Sequence, residues 1–133
     1  MITLDASVLL AAEDADDEHH AAATGLLEGG AALATLDLAA YETVNVAVRR
    51  WHDEQASTRL RERVFAIARY GHLVRVDREL TDEAAVLAAR YGISVYDAGY
   101  VAAARRLGTP LASCDERALV SRGLASHPAA LIP

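Results

Sequence analysis

Four carboxylates, Asp5, Glu42, Asp97 and Asp115, stand where they could act together on one ligand. Asp97 is the most telling. It opens a stretch, 98–104, that carries no charge before Arg105 and Arg106, with Gly108 as a C-terminal cap and Pro110 to block continuation; the segment reads as a helix with a legible start and stop. Alone, Asp97 reads as an N-cap, worth roughly 1 kcal/mol through orphan backbone amides and the helix dipole. The competing reading is a metal ligand, because a carboxylate held near a packed interior is costly without a cation or hydrogen bonds. Asp5 and Asp115 each follow a short apolar run, 2–4 and 110–113. Both runs read as strands, and ligands of open parallel sheets bind at the carboxyl ends of strands. Carboxylates crowded there repel one another, raising some pKa values, unless a hard divalent cation sits among them. Mg²⁺, or Mn²⁺, suits such a site, since it takes oxygen ligands and is held by few carboxylates plus waters and substrate phosphate. Ser7, two residues beyond Asp5, could hold that carboxylate or its water in place.

The elements that must position these groups follow from patterning. After the strand 2–4, a helix over 6–12 is capped by Asp5, and the run Glu13 to His20 reads as a solvated connection with an acidic first turn rather than a metal site, because no ligand spacing recurs. A helix over 18–27 closes at Gly29-Gly30 and a strand follows over 31–35. The next helix starts at Thr35 or Asp37 and sets Ala40, Tyr41, Val44, Val48 and Trp51 on one apolar face. Glu42 points away from that stripe, so periodicity alone predicts an exposed side chain. A helix over 55–70 ends at Gly71, a strand runs over 73–76, and Thr81 caps a helix that ends at Gly92. Residues 93–95 connect into the Asp97 helix. Asp115 caps 116–122 before Gly123, and 129–132 is expected as a last edge strand. No repeat, low-complexity tract or linker interrupts the 133 residues, so one domain, 1–133, is expected. Strands alternating with helices predict an α/β fold, a parallel sheet with helices on both faces.

Composition narrows the chemistry. Hydrophobic residues make up 53% of the chain but aromatic ones only 5%, so the core must be built from Ala, Leu and Val. The net charge of −6 disfavours simple electrostatic capture of nucleic acid. All thirteen basic residues are Arg, which removes every mechanism that needs a lysine. Arg49, Arg50, Arg59, Arg61, Arg63 and Arg69 fall in the middle third and read either as a solvated helical face or as phosphate partners. The lone Cys114 excludes an internal disulfide and fits a reducing compartment. No signal peptide or membrane span is readable, so a soluble cytoplasmic protein is expected.

Taken in order, the stretch Leu4-Asp5-Ala6-Ser7-Val8-Leu9, Glu42 within Tyr41-Glu42-Thr43, the run Tyr96-Asp97-Ala98-Gly99-Tyr100-Val101, and Leu107-Gly108-Thr109-Pro110-Leu111-Ala112-Ser113-Cys114-Asp115 resemble the four acidic motifs of PIN-domain ribonucleases. The similarity is greatest to the VapC toxins of type II toxin-antitoxin modules. That resemblance implies a three-layer α/β/α sandwich around a mostly parallel sheet, a homodimer, a Mg²⁺-dependent endoribonuclease, and a VapB-type antitoxin partner in the acidic groove. It also makes Glu42 the second acidic site residue, against the periodicity reading, and gives Ser113 the place of a hydroxyl residue supporting Asp115. Asp5 and Asp97 would hold the metal most directly, with Glu42 and Asp115 completing the pocket and Arg49 or Arg50 anchoring flanking phosphates of an RNA substrate. Receiver domains and haloacid-dehalogenase-like phosphatases also place Asp at strand ends, but both use a lysine. A non-catalytic PIN-like module gripping a partner's basic side chain, and a DNA-directed nuclease of the PIN and flap type, remain as alternatives.

Overall fold

A computed structural model describes residues Met1–Pro133. Its four strands, β1 (Ile2–Leu4), β2 (Leu33–Leu36), β3 (His72–Val74) and β4 (Leu111–Ala112), form one parallel sheet in the order β3-β2-β1-β4. Thr3 is in register with Ala34 on one side and Leu111 on the other. Successive residues of β1 are all buried although they point to opposite faces, as a parallel sheet covered on both sides requires. Helices α1 (Ala6–Glu13), α2 (His20–Glu28), α3 (Leu38–Arg49) and α4 (Glu54–Tyr70) cover one face; α5 (Arg78–Tyr91) and α6 (Val95–Leu107) cover the other. The α/β/α sandwich expected from the sequence is present, with every strand pair parallel.

Strand order carries the functional consequence. From β1 the chain moves to β2 and then β3 on one side, and returns past β1 to β4 through α5 and α6. The order therefore reverses between β1 and β4, and at such a switch point a crevice opens beyond the carboxyl ends of the strands. Asp5 and Asp115 follow those two strands.

The core is Ala-rich, and its small side chains set the helix orientations. α3 turns Ala39, Thr43 and Ala47 inward, not the expected stripe: Tyr41 is 83% exposed and Val48 50%, while Ala40, Val44 and Trp51 are only partly covered. Small residues at i, i+4 and i+8 form the buried face of α3, which packs against α4 and α1, and the Thr43 hydroxyl is satisfied by donating to the Ala39 carbonyl at 2.7 Å. That rotation brings the Glu42 side of the helix towards the interior. On the other face, Gly99 lets α6 lie close to β2, since a Cβ there would meet Leu36 Cδ2 at 3.2 Å.

Caps differ from expectation at two helices. Asp77 rather than Thr81 caps α5, accepting from the Leu80 amide at 2.8 Å, and Thr81 instead donates its hydroxyl to the Asp77 carbonyl. The Asp77 carboxylate also receives Arg106 at 2.8 and 2.9 Å, and that guanidinium together with the Leu80 amide holds its pKa at about 2. Ser94, not Asp97, caps α6, accepting from the Asp97 amide at 3.0 Å. The expected edge strand over 129–132 is a 3-10 turn, Pro128–Ala130, capped by the His127 ring. Pro128 has no amide to donate to a ladder, and the bridge beside β4 is made by Ser126 to Ala112 instead.

Gly71 ends α4 where it turns into β3, and a Cβ there would lie 1.9 Å from the Leu33 carbonyl oxygen and 3.2 Å from that of Ile67. Both obstacles are backbone of packed elements and cannot swing aside. Gly71→Ala is expected to destabilise the fold by roughly 1–3 kcal/mol or more, read as a lowered urea midpoint with an unchanged slope.

Candidate active site

Asp5 is the buried anchor of the site. It caps α1 by accepting from the Ser7 and Val8 amides at 3.0 and 3.3 Å through Oδ1, which also takes the Ser7 hydroxyl at 2.5 Å. Oδ2 takes only the Ser113 hydroxyl, at 2.5 Å. Burial raises the Asp5 carboxyl to about 6, against the pull of Ser113, Ser7 and the Val8 amide. Ser7 and Ser113 clamp the switch point shut: the Cys114 amide donates to the Ser7 hydroxyl at 2.8 Å and the Asp115 amide to that of Ser113 at 3.0 Å. The loop after β4 is thus fastened to the start of α1. Asp115 caps the π-helical turn Glu116–Val120 by accepting from the Ala118 amide at 2.8 Å.

Asp97 stands one turn into α6 and its carboxylate accepts no backbone amide, because Ser94 does the capping. Burial raises its pKa, Ser94 opposes the rise, and the Asp115 charge adds to it. Glu42 is raised in the same direction, chiefly by burial, with Asp97 contributing and Tyr100 opposing. The Tyr100 hydroxyl donates to Glu42 Oε1 at 2.8 Å. Asp97 is the common neighbour: Asp5, Glu42 and Asp115 each interact with it electrostatically.

No Arg or His neutralises these four. The ion pairs of the chain are Glu13 with Arg59, Asp77 with Arg106, and Glu18 with His19. Nor do three acidic, histidine or cysteine side chains form a ready-made cage for an ion. Mg²⁺ needs no such cage, since it keeps several waters and takes one or two carboxylates. The donor set fits it: all-oxygen and anionic, with Asp5 buried and the other three half-buried, Asp5 Oδ2 holding a single donor and the Asp97 carboxylate accepting no backbone amide. Arg49 and Arg50 are exposed at the end of α3, seven residues or about 10 Å along the axis beyond Glu42. Neither is linked to the carboxylates. Burial pushes the Cys114 thiol up to about 12, which leaves it no thiolate for nucleophilic chemistry at neutral pH.

Two residues of the site were not legible in advance. Ser94 is hidden by the better-known capping preference of Asp at position 97. Tyr100 reads as one more apolar helix position, yet a buried phenol needs an acceptor, and its spacing of three from Asp97 points it along the same helix face.

Ser113→Ala removes the sole donor to Asp5 Oδ2 and the acceptor of the Asp115 amide, both in the interior. The expected cost is about 1–3 kcal/mol, measured by urea unfolding at neutral pH, with the Asp5 carboxyl pushed higher still.

Residues 2–122 match the family model described as PIN domain, and the chain belongs to the PIN-domain family. Among solved structures, VapC20 of Mycobacterium tuberculosis, described as a sarcin-ricin loop cleaving toxin, is similar over 92% of this chain and 95% of its own, with 21% identity and a TM-score of 0.78. A toxin-antitoxin complex from Klebsiella pneumoniae is similar over 96% and 98%, with 14% identity and a TM-score of 0.75. PAE2754 of Pyrobaculum aerophilum is similar over 98% and 91%, with 24% identity and a TM-score of 0.70. No curated protein sequence matches. No helix is long and apolar enough to cross a membrane.

Proposed function

We propose that this protein is the toxin of a VapBC-type toxin-antitoxin module, an endoribonuclease that works with Mg²⁺ or Mn²⁺ at Asp5, Glu42, Asp97 and Asp115. The observation that carries the reading is the set of uncompensated carboxylates gathered around Asp97 at the β1–β4 switch point of a PIN domain. Asp5 and Asp97 would hold the cation, Asp5 through the oxygen that has a single donor. The bound cation supplies a water of lowered pKa and neutralises charge on the scissile phosphate. Ser7 and Ser113 fix the Asp5 carboxylate, so it does not reorient as charge develops. Asp115 and Glu42 would set the anionic rim that orients further waters; as the attacking water's oxygen bonds to phosphorus and gives its proton to solvent, the P–O3′ bond would break and the leaving 3′ oxygen would take a proton from one of those waters, giving 5′-phosphate and 3′-hydroxyl ends. Arg49 and Arg50, at the far end of α3, would meet only phosphates distant from the cut.

The antitoxin partner is supported by the similarity to the toxin-antitoxin complex from Klebsiella pneumoniae and by exposed apolar surface. A groove of about 640 Å³ between α3, α4 and the end of β3 is lined by Tyr41, Val44, Phe65 and Val76 together with Arg61 and Arg75. Exposed apolar ground of this kind marks protein contact, either with an antitoxin or with a second copy in a homodimer. The test is incubation of antitoxin-free protein with labelled RNA and with DNA of matched sequence, each with Mg²⁺ and with EDTA. Cutting of RNA alone, abolished by EDTA, supports the reading; cutting of DNA makes it a DNA-directed nuclease, and a folded protein that cuts neither points to a binding module.

A further inference from the structure

Tyr100 is the one aromatic side chain sealed in the core, 1% exposed, and its hydroxyl is the only donor to the Glu42 carboxylate. It sits on α6, beneath one face of the sheet, whereas Glu42 sits on α3, which packs on the other. The bond therefore closes the rim between the two outer layers. The phenol also lies within electrostatic reach of Asp5 and Asp97. No other hydrogen bond or ion pair holds the Glu42 carboxylate. We propose that Tyr100 is a positioning residue: by holding Glu42 Oε1 it aims Oε2 into the acidic pocket and keeps that carboxylate available to the cation's water shell. The inference rests on the nuclease reading of the same site.

The test is a double-mutant cycle of Tyr100→Phe and Glu42→Gln, followed by Mn²⁺ binding calorimetry and by RNA cleavage kinetics. Phe fills the same core volume, so circular dichroism and melting should report a folded variant. In the wild-type background, Tyr100→Phe should weaken Mn²⁺ binding and lower kcat roughly tenfold, the scale of one hydrogen bond to a charged acceptor, with KM for RNA unchanged. In the Glu42→Gln background it should change neither, because the group it positions is gone. Equal losses in both backgrounds, or none in either, overturn the proposal while leaving a metal-dependent nuclease standing. A wild-type protein that binds no Mn²⁺ and cuts no RNA overturns both.

Discussion

Asp97→Asn should abolish RNA cleavage without weakening the fold. The expected loss is about two to three orders of magnitude, the scale for removing one group that stabilises developing charge, and it should appear in kcat. Stability should hold or rise slightly at neutral pH. An Asp that capped its own helix would cost stability when replaced, but here Ser94 makes the cap through the Asp97 amide, and that bond survives the substitution. The Asp97 charge is itself disfavoured by burial and by Asp115, so an isosteric neutral amide relieves repulsion in the metal-free protein. Melting curves and single-turnover cleavage of the same preparation separate the two effects. Full cleavage by a folded variant would end the nuclease proposal.

The second large effect is an inverted pH dependence of metal-free stability. The Asp5 carboxyl titrates at about 6 in the fold against an ordinary 3.8, so the folded state binds its proton more tightly than the unfolded chain. Its contribution is therefore fully present below 3.8 and is lost as pH rises to and past about 6, an interval worth about 3 kcal/mol. Glu42 and Asp97 are raised and act in the same sense. Asp77, held at about 2, acts oppositely, stabilising above its unfolded value and losing that contribution only as pH falls towards 2. In EDTA, the protein should thus be more stable to urea at pH 5 than at pH 8, by about 1.4 kcal/mol from Asp5, the part of that interval lying above pH 5. Mg²⁺ or Mn²⁺ should restore much of the loss at pH 8, by about 2.7 kcal/mol at a hundredfold excess over Kd, and Asp5→Asn should flatten the profile. A profile already flat between pH 5 and 8 in EDTA would mean that the carboxylates are compensated from within the protein.

The frame of this site is written locally in the chain. A three-residue apolar run followed by Asp and then a helix locates Asp5, because strand, cap and turn agree within a few residues; the same holds for Asp115. The apolar run after Asp97 marks α6 because only a buried helix tolerates seven uncharged residues between such clear ends. α3 is different. Its Tyr, Val and Trp positions make the stronger stripe, yet helix packing is decided by how closely backbones approach, and the small face of Ala39, Thr43 and Ala47 is the one buried. Of the larger side chains, Tyr41 and Val44 are left lining a surface groove. Since Glu42 shares α3, its approach to the pocket could not be read from periodicity, and neither could its bond to Tyr100, 58 residues away in sequence. At α5, Asp77 and Thr81 are both good caps, and the choice went to the one that Arg106 also grips from α6, a contact between distant segments.

The most direct test is to locate the cation. Crystals grown near neutral pH with millimolar Mn²⁺, measured at the manganese absorption edge, should show an anomalous peak between Asp5 and Asp97, with Asp5 Oδ2 and an Asp97 oxygen as ligands and waters completing the shell. A well-ordered pocket holding no manganese at that concentration, with the carboxylates instead paired to a basic side chain of a neighbouring chain, would contradict the account and favour a protein-gripping pocket.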